Sequence, residues 1–356
     1  GFKKVLNAKY LVILFALAGL LVFALLECHR YKTTTFMFVK NYIVEIKKDR
    51  DGSFSELIHK VDVEGYEGTL GYGESRVFLK SKNSCLYVKN WKLIEERIDA
   101  KKRVIIDLSS WNEKSTNTSL LLSEPSPDNK KVILFLARRE ESVDSDQEDG
   151  GSVFFPGYDK KSSFYLLDLM TKKMSKLGIK GKLVGWVSSS LILVTDKPLG
   201  DSYKYYLWNI GQNKIEQELK TPGDCVAVVG GGRLAPLFVE YKHPKLFEVQ
   251  FGEMSAGNYT VKPITKWIPA PFGNLAKFSP FDNKVYTLYS RSNIHMKGYF
   301  LSSFYANGEV CLEFRTNSPV VDFNWMSTSE ILFVTGDMTL LVFDIKSGQK
   351  QFEKKL

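Results

Sequence analysis

The sequence predicts an all-β fold: a β-propeller of about seven (alternatively six) four-stranded blades, preceded by one transmembrane α-helix. Three observations carry this reading. One Ser-Pro turn followed by an apolar run is written twice, as SPDNKKVILFLA (126–137) and SPFDNKVYTLYS (279–290). A strand–turn–strand phrase recurs along the chain at intervals of 40–50 residues. One apolar stretch, YLVILFALAGLLVFALLE (10–27), stands apart from everything after it.

Residues 10–27 carry a single charge, at Glu27. At ~1.5 Å of rise per residue such a stretch reaches about 26 Å, enough to cross the hydrocarbon of a bilayer as a helix. A cleaved signal peptide would have a shorter apolar core and small residues before the cut. Here the flank is Leu25-Leu26-Glu27-Cys28, and Glu27 stands where a lipoprotein-type site needs Gly, Ala or Ser. The expectation is an uncleaved single-pass anchor. It divides the chain into a short basic segment (1–9), the helix (10–27), a juxtamembrane linker (28–35) and the propeller (36–356). Lys3, Lys4 and Lys9 precede the stretch and Arg30 and Lys32 follow it, a bias that puts the N-terminus in the cytoplasm and the propeller outside it.

The recurring phrase is an apolar or aromatic run, a polar residue near its end, a Gly/Asn/Lys turn and an alternating strand. It reads FYLLDLMTKKMSKL (164–177), YYLWNIGQNKIEQEL (205–219), LFEVQFGEMSAGNYTVKPI (246–264), YFLSSFYANGEVCLEF (299–314) and LLVFDIKSGQKQFEKKL (340–356). The late polar positions are Asp168, Asn209, Gln250, Ser303 and Asp344, spaced by 41, 41, 53 and 41 residues. Asn90 and Glu45 extend the series toward the N-terminus, and a 78-residue gap from Asn90 to Asp168 holds polar insertions at 111–119 and 139–163. Four short strands per period are the mark of a propeller, because a lone four-stranded sheet cannot bury both faces whereas sheets stacked around an axis bury each other's. In the clearest unit the strands are LVGWV (183–187), LILVTD (191–196), KYYLWNI (204–210) and KIEQELK (214–220). The first unit is short, which leaves open whether it has an inner strand and hence whether the blades number seven or six.

The Ser126-Pro127-Asp128-Asn129 turn, and more loosely Ser279-Pro280-Phe281-Asp282-Asn283, resemble the Ser-Pro-Asp-Gly-type turn after the inner strand of TolB/WD40-like propeller repeats. The resemblance covers most of residues 34–356 and implies the propeller fold. Two units keep Ser-Pro, and none keeps the closing Trp-Asp dipeptide of true WD40 repeats.

Composition narrows the function classes. Aromatics make up 13% of the chain, with 24 Phe and 17 Tyr, which suits strands. The net charge of +9 is scattered without a basic block interleaved with aromatics, so no nucleic-acid partner is expected. Cys28, Cys85, Cys225 and Cys311 are far apart with no CxxC, and there are four His in all, so neither a metal centre nor another cofactor is expected. No GxSxG is present, and Gly230-Gly231-Gly232-Arg233 lacks the Lys-Ser/Thr of a phosphate loop. Asp49-Arg50-Asp51-Gly52 reads as a hairpin turn, and Trp186, Trp208, Trp267 and Trp325 read as core.

The sharpest local feature is the acidic run Glu140, Glu141, Asp144, Asp146, Glu148 and Asp149. Its alternate acids have the rhythm of a calcium loop, but Asp149 replaces the required Gly and Phe155 the closing Glu. It is the candidate partner-binding loop, since rigid scaffolds place recognition in such insertions. The inner strands LVGWV, VAVVG and VVDFNWM are apolar apart from Asp322 and Asn324, which leaves little for channel chemistry. The function expected is therefore non-catalytic: a scaffold or accessory subunit held to the bilayer through 10–27 and docking other membrane-associated proteins. The alternative is a small-ligand-binding or hydrolytic propeller that uses its central channel.

Overall fold

Runs of alternating apolar and β-branched residues, stopped by Asp, Asn, Gly and Ser, become antiparallel strands when one face is buried. In the computed structural model they form seven sheets among the described residues. These residues are 31–39, 41–61, 77–79, 83–111, 117–139, 163–196, 204–219, 225–229, 237–241, 248–254, 261–263, 268–269, 276–279, 281, 285–293, 296–304, 310–316 and 320–356. The stretch 10–27 and the acidic run 140–149 lie outside them. Among the described residues no helix is long and apolar enough to cross a membrane.

Sheet 1 has three strands, Tyr31–Val39, Tyr42–Asp49 and Phe54–Lys60. Sheets 2, 3, 4, 6 and 7 are four-stranded meanders covering 77–107, 117–177, 182–219, 276–316 and 320–355, and sheet 5 (225–269) adds a fifth short strand. The fourth sheet comes close to the sequence reading: its strands are Lys182–Trp186, Leu191–Asp196, Lys204–Asn209 and Lys214–Leu219. Second strands are the most buried, as in Glu330–Thr335 of sheet 7, where every residue is buried, whereas the outer strand Gln349–Lys355 is almost wholly exposed.

Consecutive sheets share apolar cores. Leu86, Leu93 and Ile105 of sheet 2 meet Leu120, Leu134 and Leu167 of sheet 3. Ile133, Phe135 and Phe164 of sheet 3 meet Trp186, Ile192 and Trp208 of sheet 4. The first strands of sheets 4 and 5, and of 5 and 6, lie against one another, and Lys277 of sheet 6 reaches Asp322 of sheet 7. The circuit closes where Met37, Val44 and Ile46 of sheet 1 pack on Leu332, Val334, Leu340 and Val342 of sheet 7. This circular stacking of meanders is a β-propeller.

Among the described residues, sheet 1 has no counterpart of the innermost strand of the other sheets. At two junctions a residue just after the last strand shares a core with the residue after the third strand of the next sheet: Leu108 with Leu169, and Ile179 with Ile210. Val61, after Lys60, does the same with Ile98. The turn between the second and third strands of sheet 1 also has the left-handed residue of a third-to-fourth turn, Gly52 (φ 88°), as Lys172, Asn213 and Gly348 are in theirs.

Several boundaries move. The first strand begins at Tyr31, inside the stretch assigned to a linker. Residues 117–119 of the proposed insertion 111–119 belong to a strand, and Trp111 ends a short 3₁₀ turn. Asn90 falls in a two-residue turn and Glu45 is buried in mid-strand, so neither marks a third-strand end; those ends are Arg97 and Asp49. Gln250 and Ser303 lie within their strands rather than at the ends. The sequence aligned these positions by polarity, but polarity alone does not separate a turn from a solvent-facing or ion-paired strand position.

Candidate functional site

The twin turns have a physical basis. In the first, Ser126 Oγ donates to Asp128 Oδ1 (2.6 Å) and accepts from Lys131 N (2.9 Å), while Asn129 takes a left-handed φ of 55°. Burial pushes the Asp128 carboxyl up, but the Ser126 hydroxyl and the Lys130 amide outweigh it and hold it below its ordinary range. In the second, Phe281 N donates to Ser279 Oγ at 3.2 Å. Third-strand ends repeat a different device. The side-chain oxygens of Asp168, Asn209 and Asp344 each accept two amides of the following turn, at 2.8–3.0 Å. For Asp168 and Asp344 these amides, chiefly those of Thr171 and Ser347, hold the carboxyl below its usual range. These motifs are turn locks, and their polar atoms are consumed locally.

The acidic run Glu140, Glu141, Asp144, Asp146, Glu148 and Asp149 is not itself described, but its stems are. Sheet 3 has Arg139 directly opposite Asn117, so the connections 140–162 and 112–116 leave from adjacent positions at one end of that sheet.

In the channel wall, the structure gives structural work to the polar residues that the sequence singled out. Lys277 Nζ donates to Asp322 Oδ1 and to Phe323 O, both at 2.6 Å, and lies 5.1 Å from the Phe323 ring centroid. Asp322 Oδ1 also accepts from Phe323 N at 2.7 Å. Asn324 Nδ2 donates to Phe36 O at 2.8 Å, tying sheet 7 to the edge of the first strand of sheet 1. Each of these residues joins neighbouring sheets. Trp186, Trp208 and Trp325 are buried as expected, with Trp186 Nε1 bonded to Glu124 O at 2.7 Å; Trp267 lies outside the described residues.

Two clusters were missed. Glu96 is fully buried between sheets 1 and 2, with His59 Nε2 2.6 Å from one oxygen and Tyr87 Oη donating to the other at 2.7 Å. Its neighbour Glu95, on the opposite face, accepts from Ser84 Oγ (2.8 Å) and Arg103 (2.5 Å). The second is Lys48, whose ammonium bonds Glu330 and Gln351, with Ser327 Oγ donating to Glu330 at 3.0 Å. The signal for Glu95-Glu96 was present: two adjacent acids in the alternating strand KLIEER must point to both faces of a sheet that is covered on both. Among the described residues no set of three or more His, Cys, Asp or Glu is placed to hold a metal ion.

No protein-family model matches the sequence, and no curated protein matches it. Solved structures do. Oligogalacturonate lyase in complex with manganese is similar at a TM-score of 0.50 and 13% identity, over 83% of this chain and 82% of that one. An uncharacterized protein of Listeria monocytogenes follows at 0.49 and 11%, over 92% and 91%. The C-terminal WD40 domain of Sif2 gives 0.46 and 11%, over 88% and 79%. At such identities a likeness concerns fold alone; that to the lyase agrees with the topology, in which the chain is built as a β-propeller.

Proposed function

We propose that this chain is a seven-bladed, WD40-like propeller held to a membrane by residues 10–27 and acting as a non-catalytic scaffold for membrane-associated partners. The seven sheets would be seven blades, the first lacking its inner strand. The observation that carries the non-catalytic part is the use of the channel's polar groups. Lys277, Asp322 and Asn324, the polar inner-strand residues the sequence and structure single out among the described residues, are engaged in sheet-to-sheet bonds. The anchor rests on the length and low charge of residues 10–27. Tethering raises the propeller's effective concentration for any partner in the same membrane, so a modest interface suffices. The acidic run is the first docking candidate.

The test is recovery of partners from detergent-solubilised membranes with the intact chain and with a variant lacking 140–151. The deletion should leave thermal stability nearly unchanged and weaken recovery of at least one partner. Undiminished recovery of every co-purifying protein would reject the run as the docking element. Turnover of any substrate that is abolished by Asp322→Asn would favour a channel enzyme instead.

A further inference from the structure

The position of Tyr31 fixes which end of the ring faces any membrane that holds residues 10–27. Tyr31 is paired with Asp49, at the turn joining the second and third strands of sheet 1. Beside that turn, Lys48 bonds Glu330, the first residue after the Ser327–Ser329 turn of sheet 7. Lys131, just after the Ser126 turn of sheet 3, donates to Ser189 O in the matching turn of sheet 4 (3.2 Å). The turns between first and second strands, and between third and fourth, therefore share one end of the ring with Tyr31. Residues 140–162 and 112–116 connect strands at the opposite end.

The Tyr31 end has an unusual surface for a set of polar turns. Met170, at the tip of a third-to-fourth turn, is 70% exposed, and Phe281, in the Ser279 turn, is 48% exposed. Exposed Lys172 and Lys173 flank Met170, Lys130 stands in the adjoining turn of the same sheet, and Lys346 is in the matching turn of sheet 7. Asp128, Asp168 and Asp344 are at this end too, with their carboxylates turned onto the turns' own hydroxyls and amides.

We infer that this end is a second membrane contact, in which Met170 and Phe281 enter the headgroup layer and the surrounding lysines meet anionic lipid phosphates. The geometric half of the inference rests on the anchor proposed above. Four residue steps separate Glu27 from Tyr31, and an extended chain covers at most about 14 Å in four steps. A span ending at Glu27 thus holds the Tyr31 end against the headgroups. The second half is independent of the anchor: exposed apolar tips sharing one end with exposed lysines are the composition of peripheral membrane surfaces. The acidic run is then carried away from the bilayer, where repulsion from anionic lipid does not oppose docking.

The test uses the full chain in phosphatidylcholine vesicles with and without phosphatidylserine. A fluorophore is attached at Met170→Cys, Phe281→Cys or, at the opposite end, Asn90→Cys, and is quenched by brominated acyl chains. Quenching should be several-fold greater at 170 and 281 than at 90, and greater with phosphatidylserine. The pair Lys172→Glu and Lys173→Glu should reduce it at 281. Equal quenching at all three sites, or more at 90, overturns the inference. Alkaline extraction of the same vesicles reads the anchor separately. A chain that resists extraction without quenching at 170 keeps the anchor and refutes the face. A chain that is extracted yet quenched at 170 keeps the face and refutes the anchor.

Discussion

Between sheets 3 and 4 the junction is built of Phe135, Phe164, Trp186, Ile192 and Trp208, with the two Phe rings 4.5 Å apart. Between sheets 7 and 1 an apolar core is joined by something absent from that cluster: a buried ion pair, Lys48 with Glu330, steadied by Gln351 and Ser327. Outside it, Phe54 stacks on Phe352 and Lys354 pairs with Glu56. Covalent connection contributes to the difference without deciding it alone. Sheets 3 and 4 are consecutive, so the short link from Leu177 to Lys182 limits how they meet. Their directional contacts, Trp186 Nε1 to Glu124 O and Lys131 Nζ to Ser189 O, reach backbone carbonyls rather than a buried carboxylate. Consecutive sheets 1 and 2 nonetheless share the buried Glu96 with His59. Sheets 7 and 1 are the two ends of the ring, and among the described residues no strand is exchanged between them. A directional contact there specifies register, a better-attested use of a buried pair than net stability.

The comparison can be broken by substitution. Phe135→Ala should cost about 3–5 kcal/mol through transfer and cavity terms, read as a lowered denaturation midpoint with unchanged m-value. Glu330→Ala strands the Lys48 ammonium and should cost on the order of 3 kcal/mol; adding Lys48→Met should recover most of it, and failure to recover would mean the pair is not one unit. Asp344→Ala removes a turn lock and should cost about 1 kcal/mol or less. The smallest effect is one of pH. Lys355, then Thr335 and Thr339, hold the Asp337 carboxyl well below the usual carboxylate range. Its contribution is present above the unfolded value, about 3.9, and is lost as pH falls through the folded one. The stability gap between the parent and Asp337→Asn should therefore be flat at neutral pH and narrow only on strong acidification.

The sheets were legible because several repeats follow one local rule: apolar alternation ended by a residue that caps its own turn. Asp168, Asn209 and Asp344 carry that rule openly, and the fourth sheet was readable nearly residue by residue. Asn90 and Glu45 misled because a left-handed turn residue and a buried carboxylate look alike in a string of letters. The polar clusters were harder still. Glu96 meets His59 only when two sheets stack, and Lys48 meets Glu330 only when the ring closes, so no spacing in the sequence encodes either pair. Asp322 and Asn324 were noticed, but their partners Lys277 and Phe36 lie on other sheets.

The seam also sets a timetable. Lys48 and Glu330 are 282 residues apart, and Asn324 and Phe36 are 288. Contacts at that separation are the slowest to form, and during synthesis from the N-terminus they cannot form until sheet 7 has left the ribosome. For all that time sheet 1 waits beside an unoccupied flank. A growing chain that presented only Met37, Val44 and Ile46 there would offer an adhesive face to its neighbours. With Lys48 set among them and charged in water, the unfinished edge resists premature association, and the charge is buried only when the last sheet arrives with its carboxylate.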